Sequence, residues 1–166
     1  DHRDLHSFPT RRSSDLLYPL LIRLTMVLKA QAENKQIELL IDCDDRLVPF
    51  CDPDMIETVI RNLVSNAIKF SNPNSKIKIE AGNYELNSGF YVINVKDSGV
   101  GIPPDKISSL FKIAGNVSTR GTNNENGSGL GLLLCKEFVE MNGGKIWAAS
   151  KEGIGSTFSF TIPKPD

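Results

Sequence analysis

Residues 62–70 read Asn62-Leu-Val-Ser-Asn66-Ala-Ile-Lys69-Phe70, and polar side chains recur on one side of this apolar run. Asn62 and Asn66 are four positions apart, so on a helix both amides project from the same face, with Lys69 near them. An amide oxygen can ligate a hard cation such as Mg²⁺, and a lysine ammonium can balance phosphate charge. An ordinary amphipathic helix with a polar face shows the same pattern, so this stretch alone leaves both interpretations open.

A second polar segment, Asp97-Ser-Gly99-Val-Gly101, follows an apolar run rich in β-branched residues. A carboxylate at the end of a strand can accept a hydrogen bond from the amino group of adenine, whereas guanine presents an acceptor at the matching position. The glycines allow close approach of the backbone and positive φ angles. Asp97 therefore favours an adenine nucleotide, although a plain turn between a strand and a helix uses the same residue types.

A third segment, Gly127-Ser-Gly129-Leu130-Gly131-Leu, leads directly into a helical pattern. Backbone amides and the positive end of a helix dipole are suited to bind polyphosphate. The glycine spacing matches neither the dinucleotide-binding fingerprint nor the P-loop. Alone, this segment is weak evidence for a nucleotide site. It becomes informative because it follows the other two segments in the sequence.

A polar stretch rich in Gly and Asn, residues 112–128, precedes this glycine segment. It is too long for a routine connection between elements, which predicts a functional lid. Arg120 in this stretch is a candidate contact for the γ-phosphate of a nucleotide, and a solvated surface arginine is the alternative.

Helix and strand patterns alternate around these segments. Asp52 followed by Pro53 predicts an N-cap with proline at the first helical position. Helical patterns cover residues 17–35, 53–70, 102–111 and 130–141, and strand patterns cover residues 37–42, 76–81, 90–96, 145–150 and 156–162. This alternation predicts a two-layer α/β sandwich, in which a mixed sheet is covered on one face by helices.

The composition excludes several classes of function. The chain of 166 residues has 19 Lys and Arg against 20 Asp and Glu, a balance that gives no reason to expect nucleic acid or an anionic membrane as partner. No run approaches the about 18 apolar residues of a transmembrane helix. Cys43, Cys51 and Cys135 lie far apart, so we expect buried thiols in a reducing compartment rather than disulfides or metal ligands.

The first 16 residues, DHRDLHSFPTRRSSDL, have no apolar periodicity and resemble the conceptual translation of a common sequencing-adapter oligonucleotide. We therefore expect residues 1–16 to be a non-native tail, residues 17–166 to form one domain, and the native gene to extend upstream. Both histidines, His2 and His6, lie in this tail. The domain itself is thus expected to contain no histidine.

The runs NLVSNAIKFS, DSGVGI and GSGLGL, together with Phe111, resemble the N, G1, G2 and F boxes of sensor histidine kinases. These kinases belong to the superfamily that includes gyrase B, Hsp90 and MutL. The resemblance covers roughly residues 17–163, including Gly155-Ser-Thr157-Phe near the end of the chain. It implies the Bergerat ATP-binding fold, with ATP and Mg²⁺ as the bound groups.

The resemblance also assigns roles to single positions. Asn66 would bind Mg²⁺, and Lys69 and Phe70 would contact phosphate and the nucleotide pocket. Asp97 would read adenine with the support of Thr157. The other nucleotide-binding positions that it implies are Gly99, Gly101, Ile102, Arg120, Gly127, Gly129, Leu130 and Gly131.

One position separates the relatives by mechanism. The ATP-hydrolysing members resemble one another in a Glu four residues before the Mg²⁺-binding Asn, where it activates water. This chain has Asn62 there, and an amide cannot act as a general base at neutral pH. We therefore expect slow hydrolysis, with the γ-phosphate kept for a histidine on a separate dimerisation helix. The chain would then be a protein-histidine kinase that is incomplete without its phosphoacceptor domain.

The partners implied by the resemblance are the dimerisation helices of the parent protein and a downstream response regulator. We expect a monomeric, cytoplasmic domain that binds no nucleic acid, with a parent that can be anchored in the inner membrane. An ATP-driven conformational clamp of the gyrase or Hsp90 kind is one alternative, which Asn62 disfavours. A docking module that no longer transfers phosphate is another, which the three intact boxes disfavour.

Overall fold

The structure is a computed structural model that describes residues 11–112 and 130–166. Its helices are α1 (Leu17–Asn34), α2 (Pro53–Phe70), α3 (Pro104–Ile107) and α4 (Gly131–Met141). Its strands are β1 (Ser13–Ser14), β2 (Glu38–Cys43), β3 (Phe50–Cys51), β4 (Lys76–Asn83), β5 (Phe90–Asp97), β6 (Ile146–Lys151) and β7 (Gly155–Pro163). Within the described ranges, no helix has both the length and the apolar character needed to cross a membrane.

The main sheet has five strands in the order β2-β4-β5-β7-β6. β2 and β4 are parallel, and the other neighbouring strands are antiparallel. Alternate strand residues point toward the helices, and the helix-facing positions of the three central strands are apolar and buried: Ile77, Ile79, Ile93, Val95, Phe158, Phe160 and Ile162. They form one core with the apolar stripes of α1 and α2. The predicted two-layer α/β sandwich with a mixed sheet is confirmed.

The opposite face of the sheet is polar. The Lys96 ammonium lies 3.0 Å from one carboxylate oxygen of Glu80, and the Lys78 ammonium lies 3.2 Å from the other. These groups remain partly exposed, so the pairs stabilise the fold only weakly. A charged face of this kind cannot be buried against a helix without a large desolvation penalty, which keeps all helices on one side.

The N-terminus of α2 is capped as the sequence predicts. The Asp52 carboxylate accepts hydrogen bonds from the backbone N–H groups of Asp54 at 3.0 Å and Met55 at 3.3 Å, and Pro53 occupies the first helical position. The backbone N–H of Asp52 donates to the side-chain amide oxygen of Asn142 at 2.8 Å. Because Asn142 ends α4, this bond joins the start of α2 to the end of α4.

The C-terminus of α2 is capped by a lysine from another element. The Lys35 ammonium donates to the carbonyl oxygens of Ile68 at 2.9 Å and Lys69 at 2.8 Å, and Lys35 is only 6% exposed. Carbonyl groups in the last turn of a helix have no partner within the helix, and a cation there also interacts favourably with the helix dipole. The turn after α1 thus fixes the end of α2.

The predicted helix over residues 102–111 is too long. Only Pro104–Ile107 is α-helical, and residues 108–112 form turns whose backbone bonds join residues three apart, as in Ser109 N to Lys106 O at 3.2 Å. The element buries none of its four residues, so no apolar stripe extends the helix. The predicted end of the last helix is confirmed, since Gly143 follows α4 with a φ of 84°.

Residues 11–16 contact the domain. β1 pairs antiparallel with β3, and the backbone N–H of Arg11 donates to the Asp52 carboxylate at 3.0 Å. The Arg12 guanidinium donates to the carbonyl oxygen of Met141. The five-stranded sheet and the buried core cluster are nevertheless built from residue 17 onward. A domain boundary at residue 17 and a non-native origin of the tail stay predictions.

We expect Lys35→Met to lower the free energy of unfolding by about 1–3 kcal/mol, because it leaves the carbonyls at the end of α2 without their buried donor. Chemical denaturation measures the change. Lys29→Met is the matched control, since Lys29 is mostly exposed and its ammonium lies 3.7 Å from the Glu33 carboxylate in a surface ion pair. The control should change stability by no more than about 0.5 kcal/mol. Equal effects of the two variants would contradict the capping role of Lys35.

Candidate nucleotide-binding site

Asp97 is the last residue of β5, and its two carboxylate oxygens have different surroundings. Oδ1 accepts hydrogen bonds from the backbone N–H of Gly99 at 2.9 Å and from that of Ser156 at 3.3 Å. Within the described residues, Oδ2 makes no hydrogen bond, so it is available to a ligand. Burial raises the pKa of Asp97 above its usual value, and the two backbone donors oppose this rise.

The loop after Asp97 lies against the end of α2 with no space for a side chain. A Cβ atom at Gly99 would lie 2.3 Å from the carbonyl oxygen of Phe70. The same carbonyl accepts a hydrogen bond from the backbone N–H of Val100 at 3.2 Å. Phe70 and Asp97 are 27 positions apart in the sequence, yet the segments that contain them are in direct backbone contact. Asp97 therefore lies beside the last turn of α2.

The hairpin of β6 and β7 holds the other side of this loop. Gly101 has a φ of 73°, and a Cβ atom there would lie 2.3 Å from the carbonyl oxygen of Lys151. The backbone N–H of Gly153 donates to the carbonyl oxygen of Val100 at 2.8 Å, and that of Ile102 donates to the Ser150 hydroxyl at 2.8 Å. These contacts fix the loop between two elements before any ligand arrives.

The polar face of α2 turns toward the start of α4. The Asn62 amide nitrogen donates to the carbonyl oxygen of Thr58 at 2.9 Å. Its amide oxygen therefore points away, and a Cβ atom at Gly131 would lie 3.0 Å from it. The N-box and G2-box positions Asn62 and Gly131 are thus neighbours in space, and only the amide nitrogen of Asn62 is used in a bond within the helix.

Asn66 and Lys69 are half-buried one turn further along α2. Within residues 11–112 and 130–166, the Asn66 side-chain amide makes no hydrogen bond, which leaves its oxygen open to a ligand. The Lys69 ammonium lies 4.9 Å from the centre of the Phe70 ring. This cation–π contact holds the ammonium at the end of α2, near the loop that follows Asp97.

The structure does not bring Thr157 to Asp97. The residue paired with Asp97 in the sheet is Ser156, whereas Thr157 pairs with Lys96 and points to the opposite face. Sequence reasoning missed Ser156, although a signal was present. Phe158, Phe160 and Ile162 alternate as core residues, so even-numbered positions of β7 face the helices.

The remaining predicted positions divide between the described and undescribed parts of the chain. Arg120, Gly127 and Gly129 lie outside the described residues, as does most of the predicted lid. Leu130 immediately precedes α4 and is 60% exposed. Phe111 packs edge-on against Phe158 with ring centres 6.4 Å apart, at the inner face of the sheet.

Comparison with known proteins agrees with this geometry. The model of the family described as histidine kinase-, DNA gyrase B-, and HSP90-like ATPase matches residues 51–166, which is more than half of the chain. The chain belongs to this ATPase family. The resemblance found in the sequence is thereby confirmed.

Two relatives place the chain within the family. It is 37% identical over 146 residues to the adaptive-response sensory kinase SasA of Synechococcus elongatus, a match that covers 87% of this chain and 37% of SasA. It is 28% identical to the solved catalytic domain of histidine kinase ThkA, with a TM-score of 0.79 over 93% of this chain and 96% of that domain. The chain thus spans little more than a third of the curated relative but nearly all of the solved domain.

A third match is a complex. ThkA has also been solved with the response regulator protein TrrA, and this chain matches ThkA there at 25% identity with a TM-score of 0.74, over 93% of this chain and 42% of that one.

In this member of the ATPase family, we expect Gly99→Ala to lower the free energy of unfolding by at least about 1–3 kcal/mol, because its Cβ atom collides with backbone. ATP binding should fall with it, since the loop after Asp97 must move. Gly82→Ala is the matched control, because a Cβ atom at Gly82 would meet nothing within 4 Å. Thermal unfolding and ATP titration of both variants check this. A Gly99→Ala variant that behaves like the control would refute the close contact.

We expect Asp97→Asn to weaken ATP binding by about tenfold to a hundredfold, because the acceptor Oδ2, which makes no hydrogen bond within the described residues, becomes an NH₂ donor. The retained Oδ1 can still accept from Gly99 and Ser156, so folding should be preserved. Isothermal titration with ATP measures the loss, and unchanged affinity would remove Asp97 from the site.

The stability of the same variant should depend on pH in a defined direction. The folded-state pKa of Asp97 is raised above its ordinary value of 3.8, so between these two pKa values the folded protein binds more protons than the unfolded chain. The stability of the wild type therefore falls as pH rises from 3.8 through the folded-state pKa. Asp97→Asn removes this loss of stability, because an amide does not ionise. The variant should therefore be at least as stable as wild type at pH 7, and its relative advantage should shrink toward pH 4. A variant clearly less stable at pH 7 would contradict this.

Proposed function

We propose that residues 17–166 are the ATP-binding catalytic domain of a sensor histidine kinase. In this proposal the domain binds Mg-ATP and presents the γ-phosphate to a histidine on a separate dimerisation domain. The observation that carries it is the half-engaged carboxylate of Asp97, which lies in a cradle of close backbone contacts at Gly99 and Gly101. The match to the ThkA catalytic domain supports the same conclusion.

Adenine recognition follows from the Asp97 carboxylate. Oδ1 is held by two backbone donors, so Oδ2 has a fixed direction and accepts from the amino group of the base. A guanine base would place an acceptor against this acceptor, which is repulsive. The partly buried position strengthens the hydrogen bond relative to water, because the local dielectric is lower. The site is therefore selective for ATP over GTP.

The residues of α2 suit a magnesium ion bound together with phosphates. Mg²⁺ prefers oxygen ligands, keeps several waters and is bound through few protein groups. The Asn66 amide oxygen would be its protein ligand, and the Lys69 ammonium would interact with phosphate oxygens. The ion would supply charge neutralisation to the phosphates. Both residues lie near the end of α2, where the buried Lys35 ammonium binds the carbonyls of Ile68 and Lys69 and so holds the backbone in place.

Phosphate transfer rather than hydrolysis is supported by Asn62. Its amide nitrogen already donates to the carbonyl of Thr58, and an amide has no basic site that could take a proton from water. ATP bound beside it stays intact until another nucleophile arrives. This distinguishes the proposed kinase from an ATP-driven clamp, which must hydrolyse its nucleotide in each cycle.

The acceptor would come from another part of the parent protein. The two histidines of this chain are His2 and His6, both in the segment that we propose to be a non-native tail. The proposed partners are therefore the dimerisation helices of the parent and a response regulator. The complex of ThkA with the response regulator protein TrrA supports the second of these. We further propose that the isolated domain is a cytoplasmic monomer, that it binds no nucleic acid and that its parent can be membrane-anchored.

Titration with nucleotides tests the proposed binding function. We expect the full chain to bind ATP more tightly than GTP, and more tightly with Mg²⁺ than without it. Asn66→Asp should weaken binding of Mg-ATP more than binding of metal-free ATP, because it changes the charge and geometry of the proposed metal ligand. Equal losses for both forms would argue against a metal role for Asn66, and no binding by wild type would overturn the ATP site.

Phosphotransfer tests the proposed catalytic function. The chain is incubated with Mg-ATP labelled at the γ-phosphate, alone and with an added histidine-bearing helical dimerisation domain from a sensor histidine kinase. We expect acid-labile label on the added domain, little label on the chain itself, and slow release of phosphate. Rapid ATP turnover without transfer would instead support the clamp, and ATP binding with neither activity would support a docking module.

A further inference from the structure

We propose that Ser150 fixes the direction of the Ser156 hydroxyl, and that it is thereby a positioning residue for recognition of the purine amino group. The proposal rests on the proposed function, in which Asp97 binds adenine. Neither serine lies in the N, G1, F or G2 box, although Ser156 belongs to the late segment Gly155-Ser-Thr157-Phe that the resemblance includes. Ser150 lies on β6, away from the loop that follows Asp97 in the chain.

The Ser150 hydroxyl joins three segments of the site. Its Oγ lies 2.8 Å from the backbone nitrogen of Ile102, 2.9 Å from the carbonyl oxygen of Gly155 and 2.7 Å from the Oγ of Ser156. Ile102 belongs to the loop after Asp97, and Gly155 and Ser156 begin β7. Ser150 and Ser156 are direct partners across the β6–β7 pair, so both side chains point to the helix-covered face.

The direction of each bond follows from the number of protons available. A hydroxyl has one proton to donate and two lone pairs to accept. The Ile102 N–H can only donate and the Gly155 carbonyl can only accept, so the single Ser150 proton goes to Gly155. The bond between the serines must then be donated by Ser156. The reverse arrangement would leave two acceptor oxygens, those of Ser150 and Gly155, 2.9 Å apart without a proton between them.

This direction determines what Ser156 offers to a ligand. Ser156 is 7% exposed, pairs with Asp97 across β5 and β7, and donates its backbone N–H to Oδ1 of Asp97. Because its hydroxyl proton is used by Ser150, its Oγ can only accept toward the nucleotide side. The Ser156 hydroxyl and Asp97 Oδ2 then form a pair of acceptors. Such a pair is suited to a donor, either an amino group of the ligand or a water bound to that amino group, and it disfavours a carbonyl.

Loss of the Ser150 hydroxyl should therefore alter selectivity as well as affinity. In Ser150→Ala, the Ser156 proton has no partner on β6 and turns toward the Asp97 side. The Ser156 proton then occupies one of the acceptor positions that the purine amino group would otherwise use. ATP should lose affinity, whereas purine riboside triphosphate, which lacks the amino group, should lose much less. A purely structural defect would weaken both nucleotides by the same factor.

The experiment is a titration of the full chain with ATP and with purine riboside triphosphate, in wild type, Ser150→Ala and Ser150→Thr. The ratio of the two affinities reports the contribution of the amino group. We expect Ser150→Ala to lower this ratio by about threefold to tenfold, the range of one hydrogen bond. Ser150→Thr keeps the hydroxyl on a residue favoured in strands and should restore the ratio.

The outcomes separate this proposal from the proposed function. If wild type fails to bind ATP, the proposed function itself is wrong and the proposal for Ser150 falls with it. If wild type binds ATP and prefers it to the analogue, but Ser150→Ala leaves their ratio unchanged, the role of Ser150 is refuted while the ATP site stands. A ratio lowered equally by Ser150→Thr would also refute it, because the hydroxyl would then not be the deciding group.

Discussion

The carbonyl oxygen of Phe70 lies so close to Gly99 that no side chain fits between them, and the Val100 N–H completes the contact. This contact joins the end of α2 to the end of β5. It places the last turn of α2 against the loop that follows Asp97, although the helix and the strand lie in different layers of the sandwich. A glycine is required there for steric reasons, and the other features of the site depend on the contact it permits.

The helix that carries the amides is held at both ends by groups from elsewhere in the chain. Asp52 caps its start and is bound by Asn142 from the end of α4, and the buried ammonium of Lys35 caps its last turn. Helix ends are the places where backbone groups lack partners, so they are where a helix frays. Fixing both ends makes α2 a rigid element, which suits groups that must keep their spacing when a charged ligand binds.

The periodicity of apolar residues predicted the helices, the strands and the layered fold, because burial of one face dictates that pattern. The G1 box predicted Asp97 as the ligand-binding acceptor, but the choice of Thr157 over Ser156 was off by one position, and a shift of one residue in a strand reverses the face. Contacts between distant segments, such as those of Lys35 and Ser150, leave no local signal in a sequence. The prediction of a helix reaching Phe111 was wrong. The prolines favour the start of a helix, but the residues that follow have no buried apolar stripe to extend it.

The two oxygens of Asp97 have different roles in our proposal, since Oδ1 accepts two backbone hydrogen bonds that hold the loop and Oδ2 is left for the base. For competitive inhibitors of this domain, the division limits the routes to resistance. An inhibitor anchored through a donor to Oδ2 would use the atom that we propose to bind adenine, so a substitution at Asp97 that excludes the drug would also exclude ATP. Escape mutations would have to arise around this atom, in residues that shape the pocket without reading the base.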